Sequence, residues 1–304
     1  MTYSIVARDP ATGQLGVGCE SHFFAPGAGV TWARPGAGAI ATQAFVDGRY
    51  GEEGLARLAE GTPAKEVLDA LLAADEHPEV RQVALVGTTG NAALWTGGAC
   101  IAAAGGIVDG PVSVQGNMLD NENVLPAMLA AYQSAAGDLA ERLMTALETA
   151  ERAGGDIRGS QGAALVVVDG DAAGEPWRHK PVDLRVDDHP DPIAELRRLL
   201  AQRRAFDAVS GTMFAPGLMI GPYTEPSPGD RDRALAALAA AARVMTGNPE
   251  ADFWRAILLA RSGAVDAARE QLARPVALNP RLREFLGRIA DAGLLSHEDV
   301  EKLR

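Results

Sequence analysis

The opening of the chain alternates. Residues 3–8 (YSIVAR) read as a strand, DPATG as a turn whose Pro and Gly set the dihedrals, and QLGVGCE as the returning strand of a hairpin. A second pair, GVTWARP and GAGAIATQAF, is separated by Pro35-Gly36. The period then lengthens. Residues 51–60 and 63–74 carry apolar positions at helical spacing (Val67, Leu68, Leu71, Leu72), with Thr62 as a cap and Pro63 in the first turn. RQVALVG, NAALWTG and PVSVQGN return to strand pattern. Helices follow at 121–135 and 137–153, and GAALVVVD (162–169) reads as a buried strand. Helix pairs set between runs of antiparallel strands predict α+β layering with helices outside the sheets rather than alternating βαβ units.

An amphipathic helix is expected over 190–208, then a Gly/Pro-rich stretch at 209–230 that marks a domain boundary. Its Met213, Phe214, Leu218, Met219 and Ile220 are too apolar for a free linker, so it should pack on a domain. Residues 231–304 read as helical, over 231–246, 250–262, 264–277 and 280–291. Pro275 predicts a kink or an early stop. The expected organisation is thus a domain at 1–208, a linker at 209–230 and a helical domain at 231–304.

Bulk chemistry narrows the function classes. The 304 residues carry a net charge of -12, which argues against a nucleic-acid binder with its basic footprint. Only three lysines occur (Lys65, Lys180, Lys302), leaving few side-chain amines for catalysis. Cys19 and Cys100 form neither a disulfide framework nor a CxxC spacing. No apolar run reaches the ~18 residues of a membrane span, and MTYSIVARD lacks the basic and apolar segments of a signal peptide. A cytoplasmic protein without metal, cofactor or membrane partner is expected.

The first hairpin starts at the very first residues, and a terminus that enters a core strand at once has a reason to be held. With Met1 removed, Thr2 would carry a nucleophilic hydroxyl and its own base, an α-amine titrating near about pH 8. Antiparallel pairing would return Glu20 and Ser21 towards Thr2, where the Glu20 carboxylate either holds the amine or hydroxyl or is a solvent-facing strand end. Gln115-Gly116-Asn117 either forms an oxyanion or substrate-binding turn or is an ordinary turn. In Gly154–Gln161 (GGDIRGSQ), Asp156 and Arg158 suggest an ion pair near a site; the alternative is a helix cap and a solvated loop. His22 lies close enough to assist proton transfer. Cys19 should face away from Glu20 as a buried thiol. Asp187-Asp188-His189 alternates faces, which disfavours a common ion, and Asp188 or Asp191 is better read as a helix cap.

The motifs MTYSIVARDPATGQLGVGCESHFF, ATQAFVDGRYGEEGL, SVQGNML, GGDIRGSQGAAL and DLRVDDHPDP together resemble the domain-of-unknown-function 1028 family, from residue 2 to about 200. That resemblance implies membership of the N-terminal-nucleophile (Ntn) hydrolases and a four-layer αββα sandwich. A looser resemblance to proteasome β-type subunits matches Thr2 to the nucleophile and Glu20 to the acid after the second strand. It further implies an oxyanion amide at Thr42-Gln43, a loop pairing Asp156 with Ser160, and a turn near the nucleophile at Gln115-Gly116-Asn117. The third-strand lysine of the proteasome type is missing: the stretch is Gly29-Val30-Thr31-Trp32-Ala33-Arg34, and Arg34 is a poor proton acceptor.

The tail, from Gly263–Ala268 to Asn279-Pro280 with Trp254, resembles a tetratricopeptide unit, and some family members carry there a region labelled peptidoglycan-binding. No sugar-binding cluster supports that label, and Trp254 reads as core. The expected activity is hydrolysis of a small amide: Thr2 attacks, backbone amides near Gln43 and Gln115–Asn117 hold the oxyanion, and Glu20, Asp156, Arg158 and Ser160 orient terminus or substrate. The alternative is a non-catalytic binding scaffold. A homo-oligomer, and a protein or cell-wall ligand for residues 231–304, are expected by analogy alone.

Overall fold

The computed structural model describes residues 2–175 and 178–304. Met1, whose removal the sequence reading requires, lies outside the described residues. The chain divides into two compact units, one ending at Leu199 and the other spanning Leu200–Arg304.

In the first unit, β1 (Thr2–Arg8), β2 (Leu15–Ser21), β3 (Thr31–Arg34) and β4 (Gly38–Ala44) precede α1 (Arg49–Ala59) and α2 (Ala64–Ala73). Then come β5 (Arg81–Gly87), β6 (Ala93–Thr96), β7 (Gly105–Asp109), β8 (Val112–Asn117), α3 (Val124–Ser134), α4 (Leu139–Arg152), β9 (Gly162–Val168) and β10 (Val182–Val186). The strands form one sheet in the order β10-β9-β2-β1-β8-β7 and another in the order β3-β4-β5-β6, and every ladder is antiparallel. The sheets meet through β1, β2, β4 and β5; α3 and α4 lie on the outer face of the larger sheet, α1 and α2 on that of the smaller. Val6, Leu15, Val17 and Cys19 interlock with Ala39, Ala41, Ala84 and Val86 between the sheets. Ile40, Val83 and Leu85 point the other way, to Leu55, Val67 and Leu68 of the helices.

Two glycines bring α1 down onto its sheet. A Cβ on Gly51 would stand 2.1 Å from the Trp32 ring, and one on Gly54 would stand 2.6 Å from Ile40 Cδ1.

The helix α5 (Pro192–Met213) begins with Asp191, whose side chain accepts the Ala194 N–H as a cap. It runs past residue 208, so residues 209–213, expected to open a linker, are its last turn. Leu218 and Met219 are buried in the core of the second unit with Phe253, Trp254 and Ile257. That unit continues with α6 (Asp230–Val244), α7 (Glu250–Arg261), α8 (Val265–Leu278), α9 (Leu282–Asp291) and α10 (His297–Leu303). The early stop expected at Pro275 does not occur: α8 continues to Leu278, and the Pro275 carbonyl accepts the Asn279 N–H. A proline in a last turn removes one donor while the preceding turns keep theirs. Trp254 is buried and donates to Glu250 at 2.7 Å. Among the described residues no helix is long and apolar enough to cross a membrane.

Gly51→Ala should therefore destabilise the protein by about 1–3 kcal/mol, since the Trp32 ring must yield. Gly211→Ala, at a helical position with open space around it, should be neutral or stabilising by up to about 1 kcal/mol. Denaturant titration of the two variants checks the contrast, and equal effects would contradict the close packing of α1.

Candidate active site

The site is built by strand register. β1 pairs with β2 through Tyr3↔Glu20 and Ser4↔Cys19, so the next step of the register sets Thr2 against Ser21. On its other side β1 pairs with β8 through Thr2↔Asn117, Tyr3↔Gly116 and Ser4↔Gln115. Paired residues share a face and consecutive residues alternate. Thr2, Ser4, Ser21, Gln115 and Asn117 accordingly face the second sheet, and Tyr3, Glu20 and Gly116 face the helices.

On the inter-sheet face, Thr2 Oγ1 donates to Ser21 Oγ at 3.1 Å, and the Phe23 N–H donates to the same Ser21 oxygen at 3.0 Å. Gln43 Nε2 donates to the Thr2 carbonyl at 3.0 Å and to Gln82 Oε1 at 2.8 Å. Asn117 Nδ2 donates to that Gln82 oxygen at 2.9 Å, and Gln82 Nε2 donates to the Gly116 carbonyl at 2.8 Å. Deeper between the sheets, Ser4 Oγ donates to Gln43 Oε1 at 2.6 Å, and Gln115 Nε2 donates to Ser4 Oγ and the Ala41 carbonyl. Buried amides in low dielectric are costly unless paired, so this ladder holds Thr2 by its carbonyl with little freedom. One acceptor beside Thr2 has no hydrogen-bond partner: Asn117 Oδ1, on a side chain 1% exposed.

These placements correct three expectations. The Gln43 and Gln115 side-chain amides are spent on the ladder, so only backbone N–H groups near them stay in the oxyanion expectation. Gly116 lies on the helix side, where a Cβ would stand 2.7 Å from Leu119; close packing explains that glycine. Residues 115–117 end β8 rather than forming a turn, and of them Asn117 alone stands beside Thr2.

Glu20 is the largest correction. As the partner of Tyr3 it lies on the face opposite Thr2, fully buried, and neither carboxylate oxygen has a hydrogen-bond partner. Burial, then the charges of Glu151 and Asp156, push its pKa up to about 9. The neighbouring donors are committed elsewhere: Ser160 Oγ to Glu151 and the Gln161 N–H to the Ser21 carbonyl. Tyr3 donates to Glu151 Oε2 at 2.7 Å, and burial followed by Glu20 raises the phenol well above its ordinary value. Asp156 accepts the N–H groups of His22 (3.1 Å) and Arg158 (2.8 Å) and pairs with the Arg158 guanidinium at 3.2 Å. The 154–161 loop is thus an ion-paired clamp on the end of β2. Ser160 bonds to Glu151, Asp156 adds its charge to the surroundings of Glu20, and Arg158 pairs with Asp156. Cys19 is fully buried between the sheets, and burial raises its thiol.

Thr2 and Ser21 also sit in the wall of a cavity of about 680 Å³, otherwise walled by Phe23, Phe24, Pro26, Val30, Phe45, Val46 and small residues between them. Phe23, Phe24 and Phe45 are 70%, 61% and 59% exposed. Two wall residues, Ala25 (φ 50) and Ala44 (φ 66), hold left-handed backbone that non-glycine residues rarely adopt. Gln82, Glu151 and this cavity escape the sequence reading, whereas Ser21 stands beside Thr2 as the hairpin pairing predicts. Gln82 shows as an amide in the otherwise apolar RQVALVG. The adjacent Phe23-Phe24, in a chain with seven phenylalanines, are the only trace of the cavity.

Residues 2–196 match the family of unknown function DUF1028. The crystal structure of protein SPO2555 from Silicibacter pomeroyi, assigned to the same family, is similar to the chain with a TM-score of 0.59 and 32% identity. That similarity covers 66% of this chain and 87% of that one. No curated protein matches.

Glu20 supplies a pH test. Its folded pKa stands above its unfolded value, so the folded protein holds a proton that the unfolded chain releases as pH rises from about 4.5 to about 9. Stability from this group is complete below that window and is lost across it. Glu20→Gln keeps shape and neutrality, so it should nearly match the wild type at pH 5 and melt about 10 °C or more higher at pH 8.5. Parallel melting curves at both pH values would contradict a protonated Glu20.

Proposed function

The chain belongs to the DUF1028 family, whose function is unknown, and on that footing we propose that its first unit is an N-terminal-nucleophile amidohydrolase of αββα architecture with Thr2 as nucleophile. The observation that carries this reading is the position of the Thr2 hydroxyl. It lies at the first residue of a strand paired on both sides, bonded to a second hydroxyl, at the wall of a cavity.

The chemistry needs Thr2 as the first residue. Its α-amine, with a pKa of about 8, then accepts the hydroxyl proton while Oγ1 bonds to the amide carbonyl carbon. The C–N bond breaks as the leaving amine takes that proton, and an ester to Thr2 remains. Water attacks the ester, the α-amine again takes a proton, and the carboxylic acid departs as Oγ1 recovers its hydrogen. Asn117 Oδ1, an unsatisfied acceptor opposite Thr2, is the group best placed to orient the amine. Ser21 positions the hydroxyl. A lysine helper is not required by this scheme, which accommodates the 29–34 segment without one. Glu20, Asp156, Arg158 and Ser160 act at one remove, by fixing the end of β2 on which Ser21 stands.

A threonine-reactive β-lactone tests the reading. On protein whose first residue is Thr2, peptide mass mapping should find the adduct on Thr2, and Thr2→Ala should abolish it. Ser21→Ala should slow labelling by about tenfold or more, as the loss of a positioning hydroxyl. Absence of an adduct on such protein, or an adduct equally formed after unfolding, would favour a non-catalytic binding role.

A further inference from the structure

We propose that the cavity at Thr2 and Ser21 is an acyl subsite, so that the substrate is a neutral amide carrying a medium-length apolar acyl group. This rests on the preceding reading only for where the amide lies; what the cavity prefers is measurable without turnover.

None of the twelve wall residues has an ionisable side chain, and the Thr2 and Ser21 hydroxyls are the only side-chain polar groups among them. The hydroxyls mark where a carbonyl belongs. The aromatic and aliphatic remainder, Phe23, Phe24, Val30, Phe45 and Val46, gives a chain attached to that carbonyl nothing to bond to and much to pack on. A charged chain would lose its hydration there with no partner to replace it, and a net charge of -12 further disfavours anions at long range. A volume of about 680 Å³ falls within the range of small-molecule sites, roughly 300–1,000 Å³. A second protein chain pressed on the exposed rings would leave the hydroxyl end unfilled. Independently, the left-handed backbone at Ala25 and Ala44 places strain in two separate wall segments, a pattern that concentrates at ligand sites.

Titration calorimetry of the whole protein with octanamide, acetamide and the ω-carboxylate analogue of octanamide separates the possibilities. Each methylene buried should tighten binding about three- to fourfold, so octanamide should bind at least about a hundredfold more tightly than acetamide, and the carboxylate analogue should give no measurable heat. Ala28→Trp, or Val46→Trp on another wall should the first not fold, should abolish octanamide binding while melting normally. Absence of octanamide binding, equal binding of the carboxylate analogue, or unchanged binding by a folded filled-cavity variant would overturn the proposal. Octanamide bound but never hydrolysed by protein beginning at Thr2 would support the acyl subsite and defeat the nucleophile reading. Amide hydrolysis indifferent to chain length would do the reverse.

Discussion

The arrangement depends on β1 being hydrogen-bonded on both sides. A strand with two fixed registers has no freedom to slip, and a slip of one residue would exchange every side chain between faces. Thr2, Ser4 and Val6 are therefore committed to the space between the sheets, and Tyr3, Ile5 and Ala7 to the helices. The same constraint sorts the polar groups at this end of the sandwich into two chambers. One holds hydroxyls and amides around Thr2, and the other holds Tyr3, Glu20, Glu151 and Ser160. Thr2 and Tyr3, adjacent in sequence, thus point to opposite faces, which puts the Thr2 hydroxyl on one side of the sheet and the buried Glu20 carboxyl, its pKa raised by burial, on the other.

The amide ladder makes that constraint tolerable. Gln43, Gln82 and Asn117 belong to three strands of two sheets, and their bonds to one another and to the Thr2 and Gly116 carbonyls tie the sheets together where the apolar interlock ends. Networks of this kind fix a unique geometry when satisfied and are expensive when incomplete. The network is incomplete at Gln115 Oε1 and, beside Thr2, at Asn117 Oδ1. Beyond the ladder, the alanine turns and phenylalanines add an apolar space that reaches the hydroxyl end.

Much of the fold was legible. Alternation in YSIVAR and RQVALVG, and helical spacing in AKEVLDALLA, report the local periods that burial imposes, and these segments form β1, β5 and α2. The strand β7 escaped because Gly105 and Gly106 carry no side chain to show a period, and Gly106 is needed there: a Cβ would lie 2.5 Å from Leu94. The helix α10 escaped because seven residues hold too few turns for a pattern. The site was legible in part. Hairpin pairing points to Thr2, Ser21 and Asn117 and they stand together, but alternation puts Glu20, the neighbour of Ser21, on the other face of the sheet. The cavity could not be read, since its walls come from residues 23–30 and 44–46, segments without periodicity that meet only through the pairing of the two sheets.

The claim at the centre of this account is that Thr2 acts through its own α-amine. The most direct measurement compares turnover of an acyl p-nitroanilide by two forms of the chain, one released so that Thr2 is the first residue and one with a single glycine ahead of it. The account predicts turnover by the first form, rising with pH through about 8 as the amine loses its proton, and none by the second, whose amine is displaced. Equal rates in the two forms, or none in either, would contradict it.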